Sequence, residues 1–493
     1  MIYNFNLGIG WASSGVEYAQ IYRARMFRNI GVDAKFVFTD MFPSENMEHM
    51  TKNIGFLDSE VIWLYAFFTD FKTAPVTYTL SDLEKTFTDL NYTKTREGKI
   101  CRYVFGGSNN FYTAYMVNDH DDFVHRVEMV SNGFLIRKDY FTYGRVYSEY
   151  YAPLDNAAHL YHRRFFNENG SVAYEEIIDD DRVMYKFKDK ILCSKEELVG
   201  YMVSQLKLTS DDVVLIDRST DIGQSILMNC KPARVGTVVH ADHFSEKDTN
   251  DDYILWNNFY EYEFNMHKHI DFYICSTQAQ SDLMVQQFEK YYGVTPCVYT
   301  IPVGSLPELK YPKEGRKPFS LITASRLASE KHVDWICKAV IQARSEVPEL
   351  SLDIYGEGGE KEKLETIIRD NNASDYIHLM GQHDLSEVYQ NYEAYIAGST
   401  SEGFGLTLME AVGGGLPIIG FDVRYGNPTF IRNGENGYLL DLPEEDKERI
   451  EALRKGIVDL FKQDLEKCHS VSYEVAKDFL TCNVQEKWRE AAC

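Results

Sequence analysis

Hydrophobic and polar positions change period several times along the chain, and each change marks an element. Tyr3, Phe5 and Leu7 alternate with Asn4 and Asn6, a period of two that predicts a strand. A turn rich in glycine and serine, "GIGWASSG" at 8–15, follows. Val16, Ala19, Met26, Phe27 and Ile30 then recur at helical spacing, with Gly31 placed to end the helix. "AKFVFTD" reads as a second strand. Strand, glycine turn, helix and strand open a doubly wound nucleotide-binding domain.

The texture changes after Pro75. Residues 77–189 are rich in tyrosine, phenylalanine and β-branched side chains, punctuated by Gly106-Gly107, Asn132-Gly133 and Asn169-Gly170. This predicts an antiparallel β-meander inserted into the first domain, whose aromatic face serves as core packing or as a partner-binding surface. Alternating α/β pattern returns at Ser194, where "SKEE" is a capping box, and continues through "VVLID", "RVGTVVH" and "FYICST". A charged, proline-rich linker spans 306–317. Beyond it "FSLITAS", "LSLDIYG", "YIHLMG", "AYIAGS" and "LPIIGFD" are short apolar strands of a second parallel α/β domain, followed by a last helix over about 472–492.

The expected organisation is therefore α/β, with two Rossmann-like domains facing across a cleft. The N-terminal one takes 1–76 and 190–305, the insert 77–189 and the C-terminal one 318–471. A terminal helix, 472–493, crosses back. No internal repeat or heptad array is visible.

Composition narrows the chemistry. The net charge of -24 argues against broad nucleic-acid binding, so any phosphate-bearing ligand needs a few placed cations and backbone amides. Nine cysteines without a C-x-x-C pair read as reduced thiols. The start "MIYNFNLGIGW" lacks a basic region ahead of its apolar residues, and the longest apolar run, 61–68, is too short to span a bilayer. A cytoplasmic protein is expected, attached at most peripherally to the inner face of the membrane.

Ligands of doubly wound sheets bind at the carboxyl ends of the strands. Arg326 follows "LITAS" and Lys331 lies five residues on; the two suit a diphosphate, or are two surface cations of a loop. After "AYIAG" comes "SEGFGLTLME", in which Glu402 precedes a helix starting near Leu406. Gly403 and Gly405 let backbone approach a ligand, with free amides aimed at phosphate. Glu402 is placed to accept from sugar hydroxyls, and Glu410 to take a vicinal diol such as that of ribose; in isolation both would read as solvated acids. His240 closes "VGTVVH" and suits a contact with the transferred sugar or its acceptor. His243, three residues on, invites a weak metal reading. Ser14, Gly15, Val16 and Glu17 open the first helix as the opposite wall, and Gly8-x-Gly10 is a weak dinucleotide signal. Asp119-His120-Asp121 and Asp179-Asp180-Asp181 each contain D-x-D, fitting a divalent metal or, better, a solvated turn.

At this point the motifs resemble a known family. "SRLASEK", "LDIYGEG", "SEGFGLTLMEAVGGGLPII" and "IRNGENGYLL" resemble the retaining glycosyltransferases of the GT-B fold, whose signature of two glutamates separated by seven residues falls on Glu402 and Glu410. The N-terminal run and the inserted meander are similar to a narrower group, GtfA, the enzyme subunits that glycosylate serine-rich repeat adhesins in the cytoplasm of Gram-positive bacteria. The teichoic-acid α-N-acetylglucosaminyltransferases are the close alternative. The resemblance implies a UDP-sugar donor, usually UDP-N-acetylglucosamine and otherwise UDP-glucose, with serine and threonine hydroxyls as acceptors; no cofactor is expected, and no metal is required if Arg326, Lys331 and the helix end do its work. Arg326 and Lys331 would hold the diphosphate, Glu410 the ribose, and Glu402 with the Gly403-Phe404-Gly405 backbone the sugar. His240 would meet its far side, and Gln382 and His383 would edge the uracil. The insert would dock the acceptor and a GtfB-like partner subunit. One departure is "IPVGS", where relatives carry an asparagine-glycine. A non-catalytic binding subunit and a sugar phosphorylase are the other classes this architecture allows.

Overall fold

The strand Ile2–Asn6 is covered on both faces, and its polar positions show how. Asn4 and Asn6 are as buried as Phe5. Asn6 donates to Gln20 Oε1 (3.0 Å), and Gln20 donates to Asp217 (2.8 Å). Arg23 forks onto both Asp217 oxygens, 2.8 Å each, and reaches Asn4 Oδ1 at 2.9 Å. A buried polar face is tolerable only when its groups are paired, and this network pairs the side-chain amides and both Asp217 oxygens. Helix Gly15–Ile30 supplies Gln20 and Arg23 to it and ends at Gly31, whose φ of 71° is the left-handed stop expected there.

The structure is a computed structural model describing residues 1–9, 15–43, 45–87, 90–107 and 109–492. The chain forms two compact units, Met1–Val238 with Trp256–Asp271, and Val239–Leu255 with Phe272–Cys493. In the first, Ile2–Asn6 pairs in parallel with Ala34–Phe38 and with Val213–Ile216, and these pair outward with Val61–Trp63 and Arg234–Val239. Ser194 caps helix Lys195–Gln205, its hydroxyl accepting from the Glu197 amide while Glu197 accepts from Cys193 N–H at 2.7 Å.

The same unit carries a ten-stranded antiparallel sheet that runs in chain order from Tyr92–Glu97 to Ile191–Leu192. The turn pairs fall between its strands, where Asn132 and Gly133 hold φ of 52° and 82°. Many of its aromatics are core. Tyr140, Tyr147, Phe165, Tyr174 and Phe187 stack in succession at 4.3, 5.6, 4.4 and 4.8 Å. Others, Phe134, Tyr143 and Tyr161, are exposed.

The second unit holds a six-stranded parallel sheet. Its order is Ile377–Gly381, Ser351–Tyr355, Ser320–Ala324, Ala394–Ile396, Ile418–Phe421, Gly437–Leu440. The last strand is an addition to the five apolar runs. Gly437 admits it, because a Cβ there would lie 1.9 Å from Ile418 O. The terminal segment differs from the single helix expected, forming Leu465–Lys477 and Thr481–Ala492. Between them Phe479 turns inward beside Phe430 (4.8 Å). Leu306 then bonds in extended fashion to Phe479 O and Thr481 N, each 2.8 Å. Those two bonds replace helical ones. Among the described residues no helix is long and apolar enough to cross a membrane.

Candidate active site

Two sequence-adjacent features make the Glu402 loop. Phe404 is buried against Phe430 and Phe479 (5.3 and 6.0 Å), so its ring anchors the loop. Gly405 then takes φ 88° and ψ 75°, and helix Leu406–Gly413 begins without a side-chain cap. A Cβ on Gly405 would stand 2.6 Å from Leu408 Cδ1, so glycine is required twice over, by space and by φ. The first amides of this helix have no acceptor within it and point, with the positive end of its dipole, toward the loop.

Lys331 reaches this loop. Its Nζ lies 2.7 Å from Glu402 Oε2, the two side chains only 19% and 21% exposed. The strands that lead into their loops, Ser320–Ala324 and Ala394–Ile396, are neighbours in the sheet, which is why residues 71 positions apart meet. Small residues let the backbones close up. A Cβ on Gly398 would be 2.8 Å from His332 O, one on Gly356 1.9 Å from Ser325 O, and one on Gly358 2.4 Å from Leu327 O. The buried Tyr395 hydroxyl, 2.9 Å from Ala324 O and 3.0 Å from Thr407 Oγ1, ties the end of one strand to the start of the helix. Desolvation pushes its phenol up to about 12, so it stays a neutral donor.

Arg326 sits between the pinned residues Ser325 and Leu327, but its guanidinium is 78% exposed and pairs with Glu330 at 3.1 Å. The backbone is fixed and the charge is in solvent. The structure does not bring it to Glu402. Glu410 accepts from the buried Tyr389 hydroxyl at 3.0 Å, and burial raises its carboxyl above the ordinary glutamate range, the hydrogen bond opposing in part. Gln382 and His383 follow strand Ile377–Gly381 and are exposed; His383 Nε2 lies 2.7 Å from Met380 O. "IPVGS" closes against the same helix, since a Cβ on Gly304 would lie 2.5 Å from Leu406 Cδ2.

His240 follows strand Arg234–Val239, and the space beside Gly403 is bounded by its carbonyl: a Cβ there would be 3.8 Å from His240 O. His243 is not paired with it as a ligand set. It is fully buried, with Nε2 2.7 Å from Gln287 Oε1 and Nδ1 3.3 Å from the Tyr425 hydroxyl, and burial lowers its pKa to about 4. Val16 and Glu17 belong to the other unit and are buried there, Glu17 lying 3.4 Å from Arg218; Gly15 is exposed. Ser14 lies outside the described residues. Both D-x-D segments are hairpin turns. Asn118 accepts from the amides of His120 and Asp121, and Asp180 holds φ 52° between paired Asp179 and Arg182. Among the described residues no group of three or more His, Cys, Asp or Glu could hold a metal ion.

Sequence reasoning did not find Tyr389, Tyr395 and Tyr425. Their spacing to their partners follows no period, and only the sheet order brings them into place.

A parallel α/β unit in which Glu402 and Glu410 lie on either side of the start of helix Leu406–Gly413 fits the GT-B class of glycosyltransferases. Residues 93–189 match the family described as GtfA extended beta-sheet domain, and 309–478 match Glycosyl transferases group 1. The UDP-N-acetylglucosamine--peptide N-acetylglucosaminyltransferase GtfA subunit of Streptococcus agalactiae is 52% identical over 99% of this chain and 97% of its own length. A chain in a crystal structure of a GtfA/B complex superposes with a TM-score of 0.96 at 53% identity, covering 100% of this chain and 99% of its own. The pneumococcal O-GlcNAc transferase GtfA, crystallised with UDP and GlcNAc, gives 0.86 at 49% identity, covering 100% and 98%. The chain belongs to the GtfA subunit family of UDP-N-acetylglucosamine--peptide N-acetylglucosaminyltransferases.

Proposed function

We propose that this chain is a retaining glycosyltransferase moving N-acetylglucosamine from UDP-N-acetylglucosamine to serine and threonine hydroxyls of a serine-rich repeat adhesin, the first step of its O-glycosylation. The observation that carries the chemistry is the half-buried Lys331–Glu402 pair at 2.7 Å beside the uncapped helix at Leu406. The name of the Streptococcus agalactiae relative and the ligands of the pneumococcal crystal support the donor and the acceptor class.

In this reading Lys331, the exposed Arg326 and the helix amides take the diphosphate, Glu410 the ribose, and Gln382 and His383 the uracil edge. Glu402, the Gly403-Phe404-Gly405 backbone and His240 take the sugar. The acceptor oxygen bonds to the anomeric carbon on the face that UDP leaves; the carbon–oxygen bond to UDP breaks, and the acceptor's proton passes to the departing phosphate oxygen. Charge develops on the diphosphate, so preorganised donors there lower the barrier most. These cations do the work a metal ion would otherwise do, and turnover is expected to persist in excess EDTA. The β-rich insert, 77–189, docks the polypeptide and a GtfB-like subunit; the GtfA/B crystal structure supports that partner. The protein works in the cytoplasm, peripheral to the membrane if at all.

Mass spectrometry of a Ser/Thr-rich adhesin peptide tests the reading. With the partner subunit present, UDP-N-acetylglucosamine should add N-acetylhexosamine to the peptide. Hexose addition from UDP-glucose alone would reassign the donor, and no addition from either would sink the proposal.

A further inference from the structure

Between His240 and Glu402 the chain carries a contact that the proposed chemistry has not used. The backbone of Arg424–Gly426 runs alongside Glu402: Glu402 N donates to Arg424 O (3.2 Å), while Tyr425 N and Gly426 N donate to Glu402 O (2.6 and 2.7 Å). Gly426 permits this approach, since a Cβ there would fall 2.3 Å from Phe404 O. The side chains of the same short segment turn the other way. The Tyr425 hydroxyl donates to Asp242 Oδ1 at 2.6 Å and lies 3.3 Å from His243 Nδ1. Arg424 stands over the Phe244 ring (4.9 Å) and pairs with Glu246 at 3.2 Å and Asp242 at 3.8 Å.

Residues 241–243 are also held from behind, by helix Gln278–Tyr292. Gln280 donates to Ala241 O at 2.8 Å, and Gln287 meets His243 at 2.7 Å. Tyr425 is itself buried to 2% exposure, whereas the Asp242 side chain is 43% exposed. The buried hydroxyl finds its acceptor in a partly exposed carboxylate two residues after His240, so one side chain links the segment beside Glu402 to the segment that carries His240.

We infer that Tyr425 is a positioning residue: its backbone sets Glu402 and its hydroxyl, through Asp242, sets His240 at the reacting sugar. The inference rests on the glycosyltransferase reading. Lys331 and the helix amides grip the diphosphate without Tyr425, so loosening it leaves donor binding in place and misplaces only groups near the transferred sugar. A misplacement of about 1 Å at such a group costs up to about a hundredfold in rate.

The experiment uses the full chain with its partner subunit, UDP-N-acetylglucosamine and a Ser/Thr-rich peptide. Tyr425→Phe should lower kcat by about tenfold or more while KM for the donor stays within about threefold, the signature of an interaction realised in the transition state. Asp242→Asn keeps the Oδ1 acceptor and should retain far more of kcat than Asp242→Ala. The effects of Tyr425→Phe and Asp242→Ala should not add. A Tyr425→Phe kcat within about twofold of the parent, or a loss confined to KM, overturns the inference, as does equal damage from the Asn and Ala variants. Hydrogen exchange gives a readout independent of turnover: amides of 239–246 should exchange faster in Tyr425→Phe, and unchanged exchange overturns the inference. A parent protein that transfers no sugar would refute the reaction instead, leaving the exchange result to decide the positioning.

Discussion

Glu263 shows how far one residue's surroundings reset its chemistry. It is 1% exposed in helix Glu261–Asn265, and burial pushes its carboxyl up to about 7 from 4.5. A raised carboxyl keeps a proton that the unfolded chain has already released. Stability therefore falls as pH climbs from 4.5 to about 7, and the loss is complete above that. A tenfold difference in proton affinity between the folded and unfolded chain is worth about 1.4 kcal/mol. Glu263→Gln should therefore gain up to about 3 kcal/mol at pH 8 and nothing below about pH 4, read by denaturant unfolding across that range. Equal gains at both ends would mean that Glu263 is not protonated in the fold. Arg326 is the opposite case. At 78% exposure it holds nothing together, so Arg326→Ala should change stability by under about 0.5 kcal/mol while slowing turnover. That Lys331 and Glu402 lie close together was legible, because the loops that follow neighbouring strands of a parallel sheet converge, whereas the outward turn of Arg326 to Glu330 was not. The sequence did not show that Lys331 and Glu402 pair directly, nor that Tyr389 covers Glu410, because side-chain partners far apart in sequence leave no periodic trace.

Helix Leu406–Gly413 was legible from its glycines, and its start falls at the residue expected. Strand Gly437–Leu440 was hidden by its brevity and by a glycine that reads as a turn yet is what permits the pairing. The break at 478–480 was hidden for a different reason. The helical pattern continues across it, and only the tertiary demand of Phe479 and Leu306 interrupts it. Strand Ile2–Asn6 was found through its alternation, although the alternation arises from a buried polar network, not from a solvated face. Helix Leu406–Gly413 supports a test of its own. Gly405→Ala forces a side chain onto φ 88° and into Leu408, a strain of about 1–3 kcal/mol that the loop can relieve only by moving its amides. UDP affinity, measured by calorimetry, should fall about tenfold. Unchanged affinity would remove the loop backbone from the donor site.

At the scale of the molecule, a chain of net charge -24 holds Arg326 and Lys331 each against one of its own carboxylates, Glu330 and Glu402. The alternation of strand and helix and the antiparallel insert were legible because their periods differ, two against 3.6. The packing of 239–255 into the unit of the C-terminal sheet was not, since it depends on Tyr425 and Gln287 far along the chain. Lys331 is the cation proposed to meet the leaving diphosphate, and the proposed chemistry depends on it. The rate of UDP release by Lys331→Ala, at saturating donor and acceptor and in excess EDTA, tests it most directly. Loss of one such donor should slow release by about a hundred- to a thousandfold. A Lys331→Ala rate within about threefold of the parent would contradict that role, because a change under about 1 kcal/mol is too small for a preorganised charge contact.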